Sequence, residues 1–358
     1  MKKESLELLK ELTEAAGVSG YERQVAEIIA AHLAEICSIN YDKLGSIICE
    51  KKGTADRPRI MLCGHMDEVG FMVKKVTDDG FIRFVPLGGW WDQVLLAQQV
   101  VIKTHKGDMP GIIGSKPPHV LDPEERKKVV KQKDMFIDIG ASSKADAEKQ
   151  LGVRPGDPIV PVCAFTVLNR GKTFMAKAWD DRVGCGLFVD VIKRLARKKH
   201  PNTVYGVGSV QEEVGLRGAR TSVTLVKPDA ALIMEVGLAT DTPDVKPDDV
   251  EGQLGKGPQI GIIDSSMIPN LKLRDLAIAT AEELKIPYQL QVLMRGGQDG
   301  GQIHVYAEGV PCVYIGVPTR YIHSHAGIIH GTDYENAVKL VDAIVRKLDR
   351  KTVENLTK

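Results

Sequence analysis

Ile60-Met61-Leu62-Cys63-Gly64-His65-Met66-Asp67 decides how the rest of the chain is read. Its first four residues are apolar without a break. A strand exposed on one face alternates polar and apolar residues, so an unbroken run indicates a strand buried on both faces. Such strands belong to parallel sheets covered by helices. The run ends in His65 and Asp67, and open α/β sheets place their sites at the C-terminal ends of strands.

Working outward, residues 5–16 and 21–38 read as amphipathic helices separated by the Gly17–Gly20 break. Leu44–Glu50 reads as a strand, and Arg59–Cys63 as the buried one. From about Val69 to Thr166 the texture changes to short strand-like runs punctuated by Gly and Pro: Gly70–Val76, Phe81–Val85, Val100–Thr104, Gly111–Gly114 and Met135–Ile139. Within it only Pro123–Lys133 and Ser142–Leu151 read as helical. This is the pattern of a β-rich unit inserted into an α/β domain. Alternation of helix and strand then resumes. Arg182–Lys198, Leu271–Leu284 and Tyr334–Lys351 are expected helices; Thr203–Gln211, Ala230–Glu235, Tyr288–Met294 and Cys312–Ile315 are expected strands. The expected division is a discontinuous catalytic domain, 1–68 and 167–358, around an inserted domain, 69–166. No repeat or low-complexity segment interrupts it.

Composition bounds the function. The 358 residues carry a net charge of +1, 43% hydrophobic and 27% charged residues. That is ordinary globular composition, with no field to draw in nucleic acid or an anionic membrane. No apolar run approaches the roughly 20 residues of a membrane span. The N-terminus enters a charged amphipathic pattern without a signal-peptide core. Six scattered cysteines, none in a CxxC pair, read as free thiols in a reducing cytoplasm.

Five short segments carry candidate chemistry. In His65-Met66-Asp67, residues two apart on an extended segment share a face, so Asp67 is placed to accept from the far nitrogen of a ligating His65. Asp180-Asp181 opens a glycine-rich helix; a helix cap accounts for one of these acids better than for both. A carboxylate can bridge two metal ions, one oxygen to each. Glu212-Glu213 follows the apolar run Val204–Val210, and adjacent acids there point differently: one to ligate, one to serve as general base. Glu235 ends Ala231-Leu232-Ile233-Met234. His323, His325 and His330 cluster near the C-terminus. Taken singly, each also suits a solvated turn, strand tip or surface imidazole. Mixed imidazole and carboxylate donors suit zinc, cobalt or manganese. There is no GxSxG elbow and no Walker loop; Gly296–Gly301 reads as a tight turn near the site.

Four of these motifs, in order, resemble the M42 family of metallo-aminopeptidases and the related TET aminopeptidases. They are His65–Gly70, Ala178–Arg182, Gln211–Gly215 and Arg320–Ser324. The resemblance implies a three-layer α/β/α catalytic domain with a mixed, mainly parallel sheet and an inserted β-rich, barrel-like domain that helps dimers assemble into a dodecamer. It implies two divalent metal ions per subunit, zinc or cobalt foremost, with manganese as the other choice. One ion is expected on His65, Asp180 and Glu213, the other on Asp180, Glu235 and His323, with Glu212 as catalytic base and Asp67 orienting His65. Asp181 is expected to shape the turn. The substrates implied are peptides with a free N-terminus. The chain departs from the family pattern at Glu235, His325 and Gln298. His325 is expected either to compete for metal or to line the pocket.

Two rival readings stand beside it. A glycoside hydrolase, a label some similar proteins carry, needs two carboxyls facing each other about 5–9.5 Å apart. Glu212 and Glu213 are adjacent, the histidines have no job there, and aromatics are only 5%. A catalytically silent assembly protein of the same fold would be expected to have lost the base or the bridging Asp, and both are present.

Overall fold

The computed structural model describes Met1–Lys358. In chain order the strands are β1 (Ser38–Tyr41), β2 (Ile47–Lys51), β3 (Arg59–His65), β4 (Gly70–Val76), β5 (Ile82–Leu87), β6 (Gln99–Thr104), β7 (Gly107–Gly114), β8 (Phe136–Asp138), β9 (Pro158–Pro161), β10 (Thr166–Leu168), β11 (Thr173–Ala176), β12 (Thr203–Ser209), β13 (Ala230–Leu238), β14 (Gln259–Ile263), β15 (Gln289–Val292), β16 (Cys312–Arg320) and β17 (Gly327–His330). Eleven form one sheet in the order β1-β2-β12-β3-β13-β16-β17-β11-β10, with β14 and β15 branching from β16. The strands at its heart, β12, β3, β13 and β16, are mutually parallel. The other six, β4 to β9, close into a separate antiparallel barrel.

The unbroken apolar run explains the layering. Successive residues of β3 point to opposite faces. Ile60 and Leu62 enter a 48-residue core beneath the helices Lys3–Glu14, Arg23–Leu33, Trp179–Leu195 and Gly331–Lys347. Met61 and Cys63 enter a second core of 15 residues beneath the helix Arg217–Val226. A third cluster of 14 residues fills the barrel. β3 is therefore apolar throughout because both of its faces are covered.

Where the structure departs from expectation, packing is the reason. The second helix stops at Leu33, and Ser38–Tyr41 pairs as an edge strand with β2. Pro123–Lys133 is helical only over Pro123–Arg126, since its charge-dense residues bury no face and a short helix needs packing to persist. Ser142–Leu151 holds a single five-residue π-helical turn, Asp146–Gln150. The closing helix begins at Gly331 and ends at Lys347; a separate turn of helix, Arg350–Asn355, follows.

Close approach of the helix Trp179–Leu195 to β3 positions the site. A Cβ on Gly64 would lie 2.9 Å from the Gly184 carbonyl carbon, and one on Gly184 would lie 2.5 Å from the Met234 carbonyl oxygen. Glycine at both positions lets the acidic helix start sit directly on the strand ends. A buried polar cluster locks it there. Arg182, fully buried, donates to the carbonyls of Met66 (2.6 Å), Leu12 (2.5 Å) and Gly17 (3.1 Å) and to Glu68 at 3.3 Å. Lys177 joins Glu68 at 2.6 and 2.7 Å.

Candidate metal centre

His65, 1% exposed, ends β3. Its main-chain N–H donates to Asp181 Oδ2 at 3.1 Å. Its Nδ1 lies 2.9 Å from the main-chain carbonyl of Asp67. A carbonyl can only accept, so Nδ1 carries a proton and the neutral ring has its lone pair on Nε2. That lone pair faces Asp180 Oδ1 at 3.0 Å, Glu235 Oε1 at 3.6 Å and Glu212 Oε2 at 3.7 Å.

His323 repeats the arrangement from the other side. It follows β16 in a left-handed conformation with φ of 56°. Its ring packs against Gly89, in the loop after β5 of the barrel, where a Cβ would stand 3.2 Å from His323 Nδ1. Its Nε2 faces Asp180 Oδ2 at 3.2 Å and Glu213 Oε2 at 3.4 Å. Asp180 thus presents one oxygen to each imidazole.

The acids are placed by the backbone around them. Asp180 and Asp181, joined by a cis peptide bond, leave helical geometry at the start of their helix. Asp181 spends its oxygens on main-chain donors, Oδ1 on Gly184 at 2.9 Å and Oδ2 on His65. It shapes the turn, as expected. Gln211 turns the chain after β12 with φ of 56°. Glu212 and Glu213 then donate their N–H groups to Asp67 Oδ1 and Oδ2 at 2.9 and 3.1 Å. Glu235 lies within β13, opposite Gly316 of β16.

Asp67 differs from the sequence expectation in one respect. Its carboxylate stands 3.5 Å from His65 Nδ1, while its main-chain carbonyl is the nearer partner. The side chain is committed instead to the Glu212–Glu213 turn and to the Ser19 hydroxyl at 2.6 Å.

The electrostatics of this cluster call for cations. Burial pushes the carboxyls of Glu212, Glu235 and Asp181 well above the usual range, and that of Glu213 to about 8. Burial works against the charge of Asp180 as well, but hydrogen bonds to His323 and His65 hold its carboxyl below the ordinary value. Burial likewise opposes charge on His323, yet Asp180 and Glu213 raise it to about 9. Glu213 Oε1 is buried with no partner at all. An imidazole nitrogen and a carboxylate oxygen hold together only with a proton or a metal cation between them, and the unpartnered Glu213 oxygen leaves room for the latter. Ligand atoms of His65, Asp180 and Glu213 lie within 4.8 Å of one another, as do those of His65, Asp181 and Glu235. The residues fit divalent cations. In the second set Asp181 is already satisfied, so Asp180, which faces the same imidazole, is the better donor.

All seven residues singled out in the sequence, His65, Asp67, Asp180, Glu212, Glu213, Glu235 and His323, converge here. His325 is not among the residues lining the cleft. It is buried against Trp90 of the barrel, ring centroids 5.1 Å apart, with both nitrogens unpartnered, and burial lowers its pKa to about 4. Gln298 does line the cleft and ties Asp264 Oδ2 at 2.8 Å. The reading of the sequence missed Gly88–Gly89, which no local motif marks, and Asp299. Asp299 is buried behind Glu212 and accepts from Ser209. A signal existed for Asp299: an acid inside the Gly296–Gly301 turn. The centre opens on a cleft of about 700 Å³ walled by Leu216, Ile263, Leu293 and Ile322.

A parallel sheet that gathers acids and imidazoles at its strand ends, beside a closed barrel, defines a peptidase-like α/β protein with a group of residues that could hold a metal. The chain belongs to the M42 peptidase family: the family described as M42 glutamyl aminopeptidase matches residues 45–340, and a second, short match, AMPT, covers 3–28. A TET aminopeptidase from a marine-sediment Thaumarchaeota archaeon is 48% identical, with TM-score 0.96 and 99% of each chain covered. The Glutamyl aminopeptidase of Lactococcus lactis is 35% identical over 99% of both chains. The Pyrococcus horikoshii TET1 peptidase, which can assemble into a tetrahedron or a large octahedral shell, is 34% identical with TM-score 0.85 over 96% of this chain and 100% of that one. A Thermotoga maritima protein of the same fold, named an endoglucanase, is 30% identical with TM-score 0.78 over 97% of this chain and 99% of that one.

Proposed function

We propose that the protein is a dinuclear metal-dependent aminopeptidase that removes N-terminal residues from peptides. One observation carries the reading: two imidazoles, each with Nε2 turned inward, face opposite oxygens of the single carboxylate Asp180. That is the geometry of a bridging ligand. The shortest distances favour one exchange in the expected ligand sets. Glu213 lies nearer His323, at 3.4 Å, and Glu235 nearer His65, at 3.6 Å. We therefore assign one cation to His65, Asp180 and Glu235 and the other to His323, Asp180 and Glu213. The donors suit zinc or cobalt, and also manganese.

Bound there, divalent cations supply a water of near-neutral pKa and polarise the scissile carbonyl. The chain's own residues do the rest. Glu212, 9% exposed and held through its N–H by Asp67, takes the proton of the attacking water and returns it to the leaving amine. Burial raises its carboxyl above the usual range, and cations held beside it would favour the charged form that accepts a proton. The surplus of carboxylates offers acceptors to a free α-amine, and an acetylated N-terminus would forfeit them. The apolar walls exclude water from the reacting groups.

A glycosidase assignment fits less well. The acids here converge on imidazoles instead of facing each other across a sugar-sized gap. The cytoplasmic reading rests on six free cysteines. No helix is long and apolar enough to cross a membrane. A homo-oligomer of dimers building a dodecamer is proposed from the relatives' assemblies. The test of mechanism is Glu212→Gln. It should bind metal like the parent yet lose peptide hydrolysis by about 10²–10⁴-fold. Retained turnover would exclude Glu212 as the base.

A further inference from the structure

The residues assigned to the two cations are not held alike. His65 pairs with Ser209 of β12, and Glu235 pairs with Gly316 of β16, so the sheet itself fixes both. Glu213 and His323 lie outside any strand. Glu213 follows the left-handed turn at Gln211, and His323 is itself left-handed in the loop between β16 and β17. Loops open at lower cost than paired strands, so a ligand carried on a loop keeps its position only if its surroundings lock it. Three consecutive residues of the barrel loop after β5 stand where that lock is needed. The bare backbone of Gly88 and Gly89 passes against Glu213 and His323; a Cβ on either would lie 3.0 Å from Glu213 Oε2 or 3.2 Å from His323 Nδ1. Trp90, next in the chain, meets His325 with ring centroids 5.1 Å apart. Trp90 is anchored on the barrel: it stacks on the core residue Phe71 at 4.7 Å and donates from Nε1 to the Gly70 carbonyl at 3.1 Å. His325 is 5% exposed and neither nitrogen has a partner. Its ring therefore acts as a flat packing surface, and burying the unpaired nitrogens costs free energy that an apolar ring would avoid. Between the two histidines, the Ser324 hydroxyl lies 2.7 Å from the Tyr321 carbonyl and 2.9 Å from that of Ala326, which closes the loop on itself. A displacement of His325 is thereby carried to His323.

We propose that Trp90 and His325 are positioning residues for the cation assigned to His323, Asp180 and Glu213, and not for the cation assigned to His65, Asp180 and Glu235. The inference rests on the dinuclear reading and deepens it. Neither residue touches a cation or a substrate. Their contact clamps the loop that carries His323 to the barrel, while strand pairing alone serves the other site.

The test is calorimetric titration of the chelator-stripped full chain with cobalt(II). The parent protein is expected to show two binding steps, and His323→Ala identifies the step that belongs to its site. Trp90→Ala and His325→Ala are each expected to weaken that step by about 10–100-fold and to leave the other unchanged. Because they remove one shared contact, the double variant is expected to be no weaker than either single one. His325→Phe keeps the ring and drops the unpaired nitrogens, so it is expected to bind both cations like the parent. Equal weakening of both steps, no weakening of either, or a His325→Phe variant as weak as His325→Ala overturns the proposal and leaves the dinuclear reading standing. Fewer than two steps in the parent protein overturns both.

Discussion

Asp67 shows how a residue that touches no substrate can govern the centre. Its carbonyl sets the tautomer of His65, and its carboxylate holds the N–H groups of Glu212 and Glu213. Asparagine there would turn an NH₂ toward one of those N–H donors. Asp67→Asn should weaken metal binding by about 10–100-fold, read by competition with a fluorescent chelator. Glu22 supports the same turn: its Oε1 accepts from Gly20 at 2.7 Å and Gln211 at 3.0 Å. Burial, helped by the charge of Asp67, raises its pKa from 4.5 to about 7. The folded chain then binds an extra proton between those values. The stability this contributes is complete below pH 4.5 and gone above pH 7. Glu22→Gln keeps the acceptor without the charge. Thermal melts should show the variant gaining on the parent as pH rises from 5 to 8.5, by roughly 2–3 kcal/mol at most. A difference independent of pH would contradict that assignment. Of the candidate ligands, His65, Glu213 and Glu235 were legible in the sequence because each follows an apolar run, Asp180 as one of two acids opening a helix, and His323 as one of a cluster of imidazoles. Their pairing was harder to read. Sheet order places the strands carrying Glu213 and His65 side by side, yet the turns at Gln211 and His323, both left-handed, swing Glu213 toward His323. Such turns leave no mark in strand periodicity.

At the scale of elements, the helix Trp179–Leu195 is the piece on which the site depends. Its glycine contacts with β3 and the buried Arg182–Glu68–Lys177 cluster fix where Asp180 lies. Arg182→Met would take the guanidinium donor from the Met66 and Leu12 carbonyls and leave Glu68 without one of its cations. We expect a loss of about 3–5 kcal/mol in chemical denaturation, with metal binding weakened in parallel. Wild-type stability in the variant would show that the cluster does not anchor the helix. The helix Arg217–Val226 and strands β14 and β17 escaped the sequence reading. Each is short or lies beside Gly and Pro, and each is held by the sheet it covers or extends, so local pattern carried little of the information. Five of the six barrel strands were legible from Gly and Pro punctuation and β9 was not, whereas the charged stretch after Pro123 imitates helical composition without a face to bury.

At the scale of the molecule, the barrel is more than an appendage. Its Gly88–Gly89 loop meets the centre: a Cβ on Gly88 would lie 3.0 Å from Glu213 Oε2, and one on Gly89 3.2 Å from His323 Nδ1. That link joins positions far apart in the chain, and nothing in the local sequence marks it. It couples the unit expected to build the assembly to the geometry of His323, one of the proposed ligands. In solution the protein should have a mass many times the 39.1 kDa of one chain, read by light scattering; a monomer would contradict the proposed dodecamer. The central claim is metal-dependent removal of N-terminal residues. Its most direct measurement is hydrolysis of one peptide with a free and with an acetylated N-terminus, each with chelator and after metal is returned. The account predicts stepwise release of residues from the free peptide only, abolished by chelator and restored by zinc, cobalt or manganese. Equal cleavage of the blocked peptide, or turnover untouched by complete metal removal, would contradict it.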